Sequence, residues 1–323
     1  MMKCLKLNNL PEIEDIDEIN MYTPNILPAA KYFPSGIMGF DQEGNIVFMH
    51  TMGKVCPKEL FKCGKASNLF YLALVDVALI YKLLKRQEIK YKKKLGVKMI
   101  IDLEGWNMDL LYMPCVKLYK SLIRLIQDVF PDLGVILLVI NAPSMINIIY
   151  PIFKPAFAEE TRKKVVFAPK DYKSKLISEI GAENVFEKWG GTKIPKNGSP
   201  TGSLNIGGLP PDSLIYDPAK NPYHIDNSNL NKINIVARQK SEINIHVEKT
   251  GAVIRWFFWT SGEIEFNIEY DGHEVWPKFR LSTEFVPEYG SIECEHSGTY
   301  SLIFDNTFST FFSKDVKFKA YVE

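Results

Sequence analysis

The stretch Val135-Ile-Leu-Leu-Val-Ile140 is six aliphatic residues with no polar interruption. A half-buried strand alternates apolar and polar side chains, because successive Cβ atoms point to opposite faces. An unbroken run between Gly134 and Asn141 instead predicts a strand covered on both faces, as inside a parallel sheet. The flanking sequence agrees. Upstream, Pro114 opens an amphipathic segment with Tyr119, Leu122, Ile123, Ile126 and Val129 on one stripe. Before it, Val97-Lys-Met-Ile-Ile101 reads as a short strand. A long helix is expected from Ser67, its plausible N-cap, toward Gly96, with Leu69, Leu72, Leu79 and Leu83 on its apolar side. Downstream come a helical stretch from Ser144, a strand over Lys164-Val-Val-Phe-Ala168 and a helix from Tyr172 to Ile180. Residues 35–50 read as strand, glycine turn and strand. Such alternation predicts an α/β fold with crossover helices.

After residue 190 the pattern changes. Asn197-Gly-Ser-Pro-Thr-Gly202 and Gly207-Gly-Leu-Pro-Pro211 carry turn residues and no period. Beyond them, Ile243-Asn-Ile-His-Val247, Ile264-Glu-Phe-Asn-Ile-Glu-Tyr270, Tyr300-Ser-Leu-Ile-Phe304 and Val316-Lys-Phe-Lys-Ala320 alternate with period two, separated by turns such as Asp271-Gly272. That grammar predicts an antiparallel β-sandwich. The expected plan is therefore α/β plus all-β: an acidic lead-in over 1–25, an α/β domain over 26–193, a linker over 194–225 and a β-sandwich over 226–323.

Composition bounds the function. A net charge of +1 across 323 residues gives no global attraction to nucleic acid. The cysteines Cys4, Cys56, Cys63, Cys115 and Cys294 are odd in number and contain no Cys-x-x-Cys pair, so neither a disulfide framework nor a metal site is expected. The stretch from Leu69 to Leu84 is long and apolar, but Asp76 and Lys82 interrupt it, and contact with membranes is expected to be peripheral. Gly-x-x-x-x-Gly-Lys-[Ser/Thr], Gly-x-Ser-x-Gly and His-Glu-x-x-His are all missing, so no catalytic residues are assigned and no enzyme is expected.

Several segments, in this order and spacing, resemble the CRAL-TRIO lipid-binding domain: Met99-Ile-Ile-Asp-Leu-Glu-Gly105, Phe130-Pro-Asp132, Val139-Ile-Asn-Ala-Pro143, Ile152-Phe-Lys-Pro155, Glu160-Thr-Arg-Lys-Lys164 and Trp189-Gly-Gly-Thr192. Arg255-Trp-Phe-Phe-Trp259, Gly298-Thr-Tyr-Ser-Leu-Ile-Phe-Asp-Asn306 and Ser313-Lys314 resemble a GOLD domain. The tandem is similar to the family of supernatant protein factor and the tocopherol-associated proteins. The resemblance implies a CRAL-TRIO α/β/α lipid-binding domain followed by a GOLD antiparallel β-sandwich. It further implies a bound lipid rather than a cofactor, a phosphoinositide, a tocopherol-like molecule or an isoprenoid. Members usually carry a helical bundle ahead of the lipid domain; here the acidic lead-in stands in that place, and pocket closure on that side is left open.

The segment Pro143 to Phe157 suits a gate over such a pocket. Met145, Ile146, Ile149, Tyr150, Ile152, Phe153 and Phe157 surround nearly the whole helix, while Pro151 and Pro155 supply hinge points. An ordinary core helix is the plainer reading. By resemblance to phosphatidylinositol-transferring relatives, the headgroup positions are Asp132, where glutamate is usual, and Lys164. Lysine offers a point charge with three donors, and aspartate accepts from hydroxyls; the alternative is a turn residue and a solvated charge. Lys92, Lys93 and Lys94 belong to a cluster with Lys82, Lys85, Arg86, Lys90 and Lys98. The cluster either meets anionic lipid or complements a helix C-terminus, the solvated face being preferred.

The leading expectation is a cytoplasmic lipid-binding and transfer protein, contacting membranes transiently and peripheral at Golgi or vesicle membranes, with no nucleic acid among its partners. A second is a trafficking adaptor whose GOLD domain recruits a protein partner. A hydrolase using Asp102 and Glu104 ranks last.

Overall fold

The computed structural model describes residue 1 and residues 3–323. The chain divides into two compact units: residues 10–60 with 72–214, and residues 1–9, 61–71 and 215–323.

In chain order, the α/β part runs α1 (Ile16–Ile26), β1 (Ser35–Phe40), β2 (Ile46–His50), α2 (Pro57–Lys62), α3 (Ala66–Tyr91), β3 (Val97–Asp102), α4 (Met113–Val129), β4 (Gly134–Ile140), α5 (Ile146–Phe153), α6 (Glu159–Lys163), β5 (Val165–Phe167) and α7 (Tyr172–Ile180). The five strands form one sheet in sequence order. β1 pairs with β2 antiparallel and the remaining neighbours are parallel. The unbroken run in β4 is explained by what it meets. Leu138 and Ile140 point into a packed core with Ile100, Met49, Leu176 of α7 and Trp189. Leu137 and Val139 point to the other face, which α3, α4 and α5 cover. Both faces are apolar, as expected, and a cavity lies on the second.

Trp189 closes the packed face. Its indole Nε1 donates to Asp102 Oδ2 at 2.8 Å, and Asp102 Oδ1 accepts from Asn141 Nδ2 at 2.8 Å and from the Glu104 amide at 2.9 Å. Gly191, two residues on, lies against the Val185 carbonyl so closely that any Cβ would collide with it.

Three expectations change. The acidic lead-in is tied into the fold from Asp15 onward. Asp15 caps α1 by accepting from the amides of Asp17 and Glu18, and Asn20 of α1 bonds both the amide and the carbonyl of Ile37, at 2.7 and 2.9 Å. The linker's first half is also anchored, since the Asn205 amide donates to Ser35 O, Val55 bridges Gly208 and Leu204 joins the core. Ser67 does not cap α3, which starts at Ala66; its hydroxyl donates to Glu288. By length and composition α3 could span a bilayer, yet Leu72, Leu74, Val75, Leu79 and Leu83 are buried in the fold.

The second unit is built on β6 (Asn231–Ile235), β7 (Lys240–Val247), β8 (Val253–Thr260), β9 (Ile264–Tyr270), β10 (His273–Leu281), β11 (Glu288–Glu293), β12 (Gly298–Asp305) and β13 (Lys314–Val322). They form two antiparallel four-stranded sheets, β10-β9-β12-β7 and β11-β8-β13-β6. Trp256, Phe258, Phe266, Tyr300 and Phe304 are fully buried, as the alternation predicts. A buried acid, Glu288, is met by Lys65 at 3.3 Å and Ser67 at 2.8 Å.

Candidate functional site

On the hollow face of the five-stranded sheet lies a cavity of about 450 Å³, within the range of ligand pockets. The floor is made by alternate residues of the strands, Phe48, Met99, Ile101, Leu137 and Val139. The walls come from α3 through Ala73, Val77 and Ile80, and from α4 through Tyr119, Leu122, Ile123 and Ile126. The stripe read in the sequence of α4 is thus a cavity wall rather than solid core.

α5 supplies a further side. Ile146, Ile149, Tyr150 and Phe153 line the cavity, as does Phe157 beyond the helix. Tyr150 packs edge-on against Phe167 at 5.2 Å, and Phe153 edge-on against Tyr119 at 6.1 Å. Met145 is the N-cap position and Ile152 is half-buried; neither is among the lining residues. Burial is not uniform around α5: Ile148 is 66% exposed and does not line the cavity. Pro151 falls inside the helix, whereas Pro155 lies past its end in a 3-10 turn. Gln127 of α4 ties that turn down: Nε2 donates to Ala156 O and Oε1 accepts from the Ala158 amide, both at 2.9 Å. One end of the segment is therefore clamped by a residue that sequence reading did not single out.

Asp132 and Lys164 both line the cavity, with Glu160 and Thr161 beside them in the lining. They stand just before β4 and β5, two strands paired in parallel, which is why positions 32 residues apart meet one cavity. Asp132 adopts a left-handed φ of 59°, and Lys164 Nζ donates to Gly134 O at 2.7 Å. The Lys cluster is divided by the fold. Lys82 and Arg86 pair with Glu12 at 3.2 and 2.7 Å, and Lys98 pairs with Asp41 at 2.9 Å. Lys92, Lys93 and Lys94 stay exposed. Asp102 and Glu104 do not form an acid pair facing the cavity, since both Asp102 oxygens are taken by the bonds that hold Trp189, Asn141 and the Glu104 amide.

Three polar side chains in or against the wall escaped the sequence reading. Asp76 of α3 faces the cavity, and its Oδ1 accepts from Thr23 Oγ1 at 2.9 Å. Burial pushes its carboxyl up to about 7. His50, at the end of β2, has Nδ1 2.8 Å from Pro34 O and stacks on Tyr119 with 6.0 Å between rings; burial pushes it down to about 4. The only sequence signal was an acid in the middle of an apolar helix.

An α/β sheet with helices on both faces, a buried hydrophobic cluster on one side and a mostly apolar, ligand-sized cavity on the other suits a binding protein for an apolar molecule. The chain belongs to the CRAL/TRIO domain family, which matches residues 30–191, half of its length, and it is a lipid-binding protein of that family. Protein ctg-1 of Caenorhabditis elegans is 27% identical over 330 residues, covering 95% of this chain and 83% of that protein. Protein real-time of Drosophila melanogaster is 29% identical over 138 residues, which are 42% of this chain and 21% of its relative. The crystal structure of Sfh5 aligns at 19% identity with a TM-score of 0.41, over 64% of this chain and 62% of Sfh5.

Proposed function

We propose that this protein carries a hydrophobic lipid in the cavity beneath α5 and delivers it between membranes. The observation that supports this reading is the space itself: about 450 Å³, walled almost wholly by apolar side chains that a well-packed core would have filled. An acyl or isoprenoid tail gains about 0.8 kcal/mol for each CH₂ moved there from water. A ligand so sheltered needs a door, and α5 suits that task. It carries Pro151 within and Ile148 exposed outside, and its far end is fixed by Gln127. The candidate ligands are a phosphoinositide, with Asp132 and Lys164 reading its headgroup, a tocopherol-like molecule or an isoprenoid. Lys92, Lys93 and Lys94 provide a cationic surface for brief contact with an anionic leaflet. The working location is the cytoplasm, with passing association at Golgi or vesicle membranes.

The test is movement of labelled lipid from donor to acceptor liposomes, together with mass spectrometry of lipid that co-purifies. Wild-type protein is expected to accelerate transfer, and Ile149→Trp, which puts an indole into the space, to abolish it. A wild-type protein that neither co-purifies with lipid nor moves any would falsify the carrier reading.

A second reading has its own observation. On the loop between β12 and β13, Phe311 and Phe312 are 84% and 72% exposed. In an adaptor, the β-sandwich, read as a GOLD domain, would dock a protein partner there. A partner retained by Ile149→Trp and lost in Phe311→Ser/Phe312→Ser is the expected result for that version.

A further inference from the structure

The cavity is polar in two places. Asp132 and Lys164 stand at the beginnings of β4 and β5, whereas His50 is the last residue of β2. His50 is level with Ile101 across β3, and Gly134 with Val97, so these ends are four strand steps, about 13 Å, apart. Asp76 is also set back from Asp132. Tyr81 packs against Phe130 at 5.6 Å, and Asp76 precedes Tyr81 by five residues, about 7.5 Å back along α3.

Asp76 is the unusual member. It faces the cavity with one hydrogen bond, from Thr23, and no ion pair is formed with it among the described residues. The sandwich unit's buried acid is handled otherwise, with Lys65 supplied at 3.3 Å. A desolvated carboxyl without a cation is driven toward its protonated form, which carries one O–H donor. His50 adds the complementary group. Its Nδ1 faces the Pro34 carbonyl, which only accepts, so the hydrogen sits on Nδ1 and Nε2 keeps a lone pair.

We propose that Asp76 anchors the hydroxyl of an uncharged lipid alcohol held head-inward in this cavity. The acid O–H donates to the ligand oxygen, and the ligand's own O–H finds an acceptor in the second carboxyl oxygen or in His50 Nε2. A wholly apolar ligand would leave the carboxyl desolvated and unmatched. Phosphate or carboxylate would meet an acid and a neutral imidazole. An ammonium group would bring three donors to an end of the cavity that offers few acceptors. This assignment rests on the cavity being the lipid site, and it favours tocopherol-like or isoprenoid alcohols over phosphoinositides.

Four probes with one tail and different heads test it: hexadecanol, hexadecane, hexadecylamine and hexadecanoate, each displacing Nile red from the whole protein. Hexadecanol is expected to displace the dye at about tenfold lower concentration than hexadecane, the size of one well-made buried hydrogen bond. Asp76→Leu brings that ratio close to one. Asp76→Asn, which keeps a donor and an acceptor, preserves most of it and guards against a folding artefact. The anchor is overturned by equal displacement by alcohol and alkane, by hexadecylamine or hexadecanoate proving strongest, or by the preference surviving in Asp76→Leu. Alkane displacement without an alcohol preference sinks the anchor alone. A dye that never enters the wild-type protein, or that no probe displaces, sinks the carrier reading with it.

Discussion

The two faces of the central sheet are made of the same kinds of residue and end in opposite states. Beneath β3 and β4, Ile100, Leu138 and Ile140 meet α7 and Trp189 in a buried hydrophobic cluster; above them, Met99, Leu137 and Val139 line a cavity. Aliphatic side chains alone therefore do not decide whether a layer is solid. The decision is made by what the facing helices bring. One face receives a large indole locked by Asp102, and on the other α5 meets its neighbours through rings set edge-on, Phe153 on Tyr119 of α4 and Tyr150 on Phe167 of β5.

The contrast is open to attack from the solid side first. Trp189→Ala should cost about 3–5 kcal/mol in urea unfolding, because it empties a core site and strands the Asp102 carboxylate without its indole donor. A loss below 1 kcal/mol would mean that this face is looser than described. A finer comparison uses two neighbours on β4. Leu138 is 0% exposed and Leu137 is 6% exposed, and they point to opposite faces. Leu138→Ala should cost about 3–5 kcal/mol, whereas Leu137→Ala should cost nearer about 2 kcal/mol, since part of its surface faces the cavity. Equal losses would contradict a hollow face.

The smallest expected effects are electrostatic. Asp76 holds its proton to about 7 when folded, against an ordinary 3.8. Between those values the folded chain binds a proton that the unfolded chain has released, so stability falls as pH rises through the window and is level above it. His50 behaves in the opposite sense. Its folded value near 4 lies below the ordinary 6.5, so the unfolded chain takes up a proton first and stability falls as pH drops through that window. The two slopes oppose each other from about pH 4 to 6.5. Relative to wild type, Asp76→Asn should gain stability as pH rises from 4.5 to 7, and His50→Gln should gain as pH falls from 6.5 to 4.5, each by up to about 1.4 kcal/mol per pH unit. Urea midpoints that run parallel to wild type in both variants would place these groups in water.

Much of this fold was legible in sequence. The run 135–140 predicts its buried parallel strand, the Tyr119 stripe predicts α4, and period two predicts the sandwich strands, with Ile264, Phe266 and Ile268 of one of them inside. Periodicity distinguishes inward from outward, but a residue facing a cavity and one facing a packed core follow the same period. That is why the α4 stripe reads equally well as core. Asp132, Lys164 and most of the apolar residues from Met145 to Phe157 line one cavity, with parallel pairing of β4 and β5 bringing the first two together. Asp76 reads in sequence only as an interruption of an apolar run, because Thr23 lies 53 residues away and no local pattern joins them. α1 is obscured by its acidic start and by Pro24 in its last turn.

That helix also bears on where the domain begins. The family match starts at residue 30, yet Asn20 and Thr23 lie ahead of it, one stitching the edge strand and the other steadying the cavity acid. A fragment trimmed to the matched segment would strip both supports, leaving a frayed β1 and a bare carboxyl in the cavity. Ligand measurements on such a trimmed piece would describe a different receptacle from the one the whole chain builds.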